Sequence, residues 1–226
     1  MTALTYRRLS ATPPPIREQL VLGPDGDLAA WRSNGPAVGR FRGSAADAKA
    51  LGSLAGRAQG VPPPRGGTVP PDAPYEIVEI GDVTVSLGLD ADPAGPWGSL
   101  LTACRHLVEH PGAPLAAVTI VVDAPDRVRL EHRGTEPLRV GLGAVVATAA
   151  AFRDGAEVVT GTARLRDGVV EAGPGWSLPI GLDPLDGGRD ATVMSVSFNL
   201  DDDGVWIPVR CEVVVPASGR RTPVSG

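Results

Sequence analysis

Two spacings of apolar residues divide the chain at about residue 112. Before that point, runs alternating every second residue are interleaved with two runs of helical spacing; beyond it only the alternating kind recurs. Residues 5–9, 19–22 and 27–32 are short alternating runs, the last two joined by the turn chemistry of Gly23-Pro24-Asp25-Gly26. Residues 38–43 form a further extended piece after the loop Asn34-Gly35-Pro36. Ser44-Ala45-Ala46-Asp47 has the form of a capping box, with Asp in place of Glu, and predicts a helix to about Gln59 with Gly60 as its stop. Its inward face reads as Ala50, Leu51, Leu54, Ala55 and Ala58. Gly52 and Gly56 weaken that helix by about 1 kcal/mol each relative to alanine, so packing must hold it.

The linker 61–74, VPPPRGGTVPPDAP, leads to a hairpin of residues 75–80 and 83–87 around Gly81-Asp82. A second helix follows Gly95-Pro96. It buries Trp97, Leu100, Leu101, Cys104, Leu107 and Val108, and Pro111-Gly112 ends it. Beyond Pro114 the strand candidates are 115–122, 127–132, 138–142, 156–160, 169–172, 176–181, 192–200 and 205–215, parted by Asp-Gly and Gly-Gly turns. Residues 143–152 read as either helix or strand, and Pro208 places its strand at an edge or a bulge. The pattern predicts an α+β domain, an antiparallel sheet with two helices, at 1–112. An all-β, Ig-like sandwich domain follows at 115–216, with a loose tail at 217–226.

Charge changes the picture only locally. The net charge is −5, but residues 1–72 carry nine basic against five acidic side chains, and the rest of the chain is acidic. Such asymmetry suits contact with an acidic partner. No basic run is interleaved with aromatics, so no nucleic acid is expected. No run approaches the ~20 apolar residues of a membrane span, and residues 1–20 do not form a signal peptide. Cys104 and Cys211 offer neither a disulfide framework nor metal spacing, which fits a reducing cytoplasm.

Three motifs invite chemistry. His106-Leu107-Val108-Glu109-His110 matches the H-x-x-E-H string of zinc peptidases, with two imidazoles for a metal and a Glu to activate water. However, both histidines point away from the apolar stripe, Pro111 ends the helix there, and Glu171 is the nearest third ligand. A zinc hydrolase is therefore the distant alternative, and neither metal nor cofactor is expected. Asp201-Asp202-Asp203-Gly204 lacks the alternating spacing of a calcium loop and reads as a hairpin turn. Gly141-Leu142-Gly143 lacks a third glycine and reads as a strand bend. With no G-x-S-x-G, P-loop or C-x-x-C, the chain reads as non-enzymatic.

What is left is contact surface. Pro13, Pro14 and Pro15 with Ile16 and Arg17 make a stiff loop that loses little entropy on binding. Arg40-Phe41-Arg42 and Trp31-Arg32, in or beside loops of the basic region, add the aromatic and guanidinium groups favoured at interfaces, Phe41 and Trp31 having core positions as their other reading. Tyr6-Arg7-Arg8 in a first strand, residues 19–22 in a second, a helix, the 75–87 hairpin and a closing helix resemble the emfourin-type protein inhibitors of thermolysin-like metallopeptidases. Ser10-Ala11-Thr12-Pro13-Pro14-Pro15 stands where that family carries a glycine-rich tip. The resemblance implies protease inhibition by the first half, while the second half looks like Ig-like intracellular modules. The expectation is a cytosolic protein-binding protein whose partner is a protease or an acidic protein surface. A structural or adaptor subunit is the alternative, and the oligomeric state is open.

Overall fold

The computed structural model describes residues 2–10, 16–65, 73–153, 156–185 and 192–215. In chain order the first half runs β1 (Leu4–Ser10), β2 (Ile16–Leu22), β3 (Leu28–Arg32), β4 (Asn34–Gly35), β5 (Ala37–Arg42), α1 (Ala45–Gln59), β6 (Tyr75–Ile80), β7 (Val83–Gly88) and α2 (Gly95–Glu109). The second half is strand only: β8 (Ala113–Ala124), β9 (Arg127–Gly134), β10 (Leu138–Arg153), β11 (Ala156–Arg164), β12 (Val169–Ala172), β13 (Ser177–Gly181), β14 (Asp183–Pro184), β15 (Val193–Asp202) and β16 (Val205–Val214). Residues 143–152, ambiguous by sequence, lie within β10. Among the described residues no helix is long and apolar enough to cross a membrane.

The strands form two sheets. The larger has the order β13-β9-β8-β5-β3-β2-β1-β6-β7, and the smaller β14-β11-β10-β15-β16-β4, with β12 on β10. The larger sheet runs without interruption through the expected boundary at 112–115, because β5 pairs antiparallel with β8 from Ala37↔Thr119 to Arg42↔Ala113. A bulge at Arg40/Phe41 interrupts this ladder, and Gly39, at φ 124, lets β5 press against the Ala116–Ala117 backbone, where a Cβ would collide.

Each half of the large sheet buries a different face. Over β1, β2, β6 and β7 the two helices cover Leu4, Tyr6, Leu20, Leu22, Val78 and Ile80. Over β8, β9 and β13 the second sheet covers Val118, Leu130 and Ile180 with Met194, Val196, Phe198 and Leu200. The shared strands supply both cores: Phe41 and Ala117 turn to the helices, while Val38, Ala116 and Val118 turn to the sandwich. One wall of the sandwich is thus part of the sheet that the first half begins.

The helices hold as their sequences require. Ser44 Oγ accepts from Asp47 N at 3.1 Å, the predicted N-cap of α1. The buried face of α1 is Ala48, Leu51, Gly52, Ala55 and Ala58; Ala50 is exposed, so the stripe starts two residues earlier than its spacing suggested. Helix α2 starts at Gly95, with Ala94 as its cap, and buries Trp97, Leu100, Leu101, Cys104 and Val108. Beneath it lies a charged network. Glu76, 1% exposed, accepts from Tyr6 Oη at 2.5 Å and from Arg105 at 2.6–3.1 Å. Arg105 also satisfies the carbonyls of Leu89 and Ala91.

Candidate functional site

Where α2 ends, its last turn, the β1–β2 pair, the β3–β4 crossover and the end of β16 enclose a cleft of about 750 Å³. Strand parity explains its charge. On β1 and β2, Leu4, Tyr6, Leu20 and Leu22 face the helices, so Arg8 and Glu18, two residues further along the same face, point inward just past the helix end. Glu18 is 2% exposed. Arg8 Nε donates to Glu18 Oε2 at 2.5 Å, and Arg8 Nη1 to Glu109 Oε1 at 3.4 Å. Burial pushes the Glu18 carboxyl above its ordinary range even with Arg8 beside it. Against its own desolvation, the field of Glu18 holds Arg8 above the ordinary guanidinium value.

Arg32 forms the second part of the floor. Its Nε donates to Asn34 O at 2.5 Å and its Nη1 to Glu109 O at 2.9 Å, so it closes the carbonyl end of α2. Burial depresses its pKa. Arg32 lies over Gly35, where a Cβ would collide with the guanidinium and where φ is 122, so only glycine suits that position. On the far wall, Arg210 pairs with Glu212 at 2.9 Å, and its Nε is buried without a hydrogen-bond partner. Strand β4 joins this wall to the floor by pairing parallel with Arg210 and Cys211.

Of the described residues lining this cleft, Ile16 and Arg32 are contact candidates of the sequence and Glu109 belongs to its H-x-x-E-H string. Pro13, Pro14 and Pro15 lie outside the described residues. Arg17, next to Ile16, is exposed, and its N–H donates to Ser33 Oγ at 2.8 Å. Arg40, Phe41 and Arg42 lie on the expected extended piece, β5, which is an interior strand between β8 and β3. Phe41 is buried at 4% exposure under the helices, its core reading. Arg40 faces Glu136 at 3.5 Å beside a separate cleft, and Arg42 is exposed. Trp31 is a core residue of the sandwich.

The H-x-x-E-H residues stay on the outer surface of α2. His106 and His110 are exposed and stack on each other with centroids 4.6 Å apart, while Glu109 belongs to the cleft through Arg8. Glu171 lines the cleft beside Arg40. Among the described residues no group of three or more His, Cys, Asp or Glu side chains is placed to hold a metal ion. The Asp201–Gly204 segment is a hairpin turn, with Asp201 Oδ1 accepting from Gly204 N at 2.7 Å. No protein family, curated protein or solved structure matches the chain.

Sequence reasoning missed Arg8, Glu18 and Arg210 as cleft residues, while Arg32 was among its contact candidates beside Trp31. A signal existed for the first two: each continues an apolar inward-facing series by one step, which marks a buried charge in need of a partner. No comparable signal exists for Arg210, which reaches the cleft only through the crossover of β4 onto β16.

Proposed function

We propose that the protein is a non-enzymatic binding protein whose cleft at the end of α2 receives an acidic segment of another protein. Arg210 carries the reading. A buried donor without an acceptor costs about 1–3 kcal/mol, and a carboxylate that drew the Arg210 side chain toward the cleft would recover that cost. Arg32 supports it, since its hydrogen bonds go to neutral carbonyls and, among the described residues, leave its charge without a carboxylate in direct contact. Ile16 and Val214 add an apolar rim. The form of binding we favour is protease inhibition, on the resemblance of the first half to emfourin-type inhibitors. In this reading residues 115–216 are an Ig-like sandwich that carries the wall of the cleft, and the buried, unpaired Cys104 and Cys211 suit a cytoplasmic setting.

The test is a titration. Increasing protein should inhibit a thermolysin-type metallopeptidase stoichiometrically, and a fluorescent Asp/Glu-rich peptide should bind to the cleft. Arg210→Gln should weaken the peptide on the order of 10-fold or more, the worth of one charge-assisted hydrogen bond. Peptide binding without inhibition would favour an adaptor role. Unchanged binding by Arg210→Gln would remove the cleft from the account.

A further inference from the structure

Open sheet edges are hazards, because unpaired N–H and C=O groups template further strands. This chain blocks its edges in a consistent way, mostly with proline. On β13, His132 N bonds to Trp176 O and Leu182 N to Asp126 O. The even positions therefore face β9, and Pro179 occupies the outward position. On β14, Leu185 N bonds to Thr160 O, which leaves Pro184 facing outward. On β16, Arg210 N points outward to Ser33 O, so Pro208 does too. Strand β4 is two residues long and runs into Pro36. The outer part of β11 carries Glu157 and a bulge, and β12 has four residues, one of them Glu171. Each of these edges is short, bulged, charged or stripped of the amide that a new strand would need.

Strand β7 has none of these devices. Its sequence, VTVSLG, holds no proline and no charge, and its pairing with β6 runs without a register shift from Ile80↔Val83 to Tyr75↔Gly88. The two-residue turn Gly81-Asp82 makes Ile80/Val83, Val78/Val85 and Glu76/Leu87 the hydrogen-bonded pairs. The N–H and C=O groups of Thr84 and Ser86 therefore point out of the sheet. Among the described residues no strand pairs with this edge. Thr84 and Ser86 are exposed on one face, while Val85 and Leu87 are buried on the other.

We propose that β7 is a self-association edge, at which a second copy of this chain adds its own β7 antiparallel to form one continuous sheet. Self-complementarity selects that occupant. A two-fold axis at Val85 sets Thr84 opposite the partner's Ser86, two outward-bonding positions, so their backbone groups complete two pairs of hydrogen bonds. On the helix-covered face the same register sets Val83 opposite Leu87 and Val85 opposite its own copy. Asp82 falls opposite Gly88. No like charges meet, although the chain as a whole is acidic, and antiparallel pairing suffers where like charges face each other.

The experiment is sedimentation velocity of the full chain over a range of concentrations. Wild type is expected to sediment at twice the 23.2 kDa chain mass at high concentration and to dissociate on dilution. Ser86→Pro removes an amide that points away from β6, so the hairpin keeps its ladder; this variant should associate more than ~10-fold more weakly with unchanged circular dichroism. Thr84→Lys with Ser86→Lys places like charges opposite each other and should dissociate the pair independently of any proline effect. A wild type that stays monomeric, or variants that associate as well as it does, would overturn the proposal. So would a monomeric chain whose β7 pairs only with a different protein.

Discussion

The two ends of the large sheet solve one burial problem with different chemistry. The helix-backed end keeps charge inside: Glu18 and Glu76, each at most 2% exposed, lie under α2 and its end with Arg8, Arg105 and Tyr6 as partners. The sandwich end buries no carboxylate among the described residues. Its buried polar groups are His132, Thr160 and Ser195, and each is hydrogen-bonded to a carbonyl or a hydroxyl. A helix meets a sheet along a narrow stripe, so side chains at the rim of the stripe are covered only in part, and long charged residues can reach in from the edge. Two stacked sheets interlock over their whole inner faces and leave no such rim. The comparison predicts that the helix-backed end fails through charge and the sandwich end through volume.

The harshest way to break the comparison is to separate the ends. Residues 113–226 alone lose β5 as the neighbour of β8, together with Val38 and Trp31 from the sandwich wall. The isolated piece should give collapsed or broad amide spectra, and mixing it with residues 1–112 should restore dispersion. If each piece alone gives sharp, dispersed spectra, the shared strands are a seam between autonomous units, as the change in sequence periodicity at Pro111–Pro114 suggested.

Single substitutions come next. Arg105→Met removes the bidentate partner of Glu76 and strands a buried carboxylate, which typically costs about 3–5 kcal/mol. Tyr6→Phe removes one hydrogen bond to the same group and should cost about 1–2 kcal/mol. In the sandwich, Leu200→Ala should cost about 2–5 kcal/mol through its cavity. Urea midpoints measure all three.

These assignments also show what the sequence could say. Alternation located nearly every strand, and the i, i+3, i+4 stripe located α2, because burial acts on residues close together in the chain. The 3.6-residue period placed Leu51, Leu54, Ala55 and Ala58 correctly but mistook Ala50 for Ala48, since in a helix of alanines and glycines no large side chain marks the stripe. The extended reading of residues 38–43 matched β5 but did not show that Arg40-Phe41-Arg42 lie inside a sheet, because the strand that encloses them, β8, comes about seventy residues later. Only that pairing makes β5 interior. The cleft was the least legible feature. Arg32 reaches Glu109 O across about seventy-seven residues of chain, Arg210 lines the same cleft from the last strand, and Asn34-Gly35, a turn by composition, forms the strand that joins the two sheets.

The smallest expected effect tests whether charge in the helix-backed end is held at a cost. Burial raises the Glu18 carboxyl above its ordinary range in the folded chain, and Arg8 only partly offsets this. For an acid raised on folding, the sign is fixed by linkage. The Glu18 contribution to stability is fully present below the ordinary carboxylate pKa, where both states are protonated. It is lost as pH rises toward and through the raised value, because the unfolded chain ionises first. Glu18→Gln mimics the protonated side chain and removes this dependence. Wild type and variant should therefore differ least unfavourably to the variant at neutral pH, with the gap between their urea midpoints opening as pH falls through that window. A gap that stays constant would mean that Arg8 compensates the buried charge in full. A gap that closes in acid would mean that the ion pair wins over desolvation, and the cleft would then be a closed salt bridge with little to gain from a ligand.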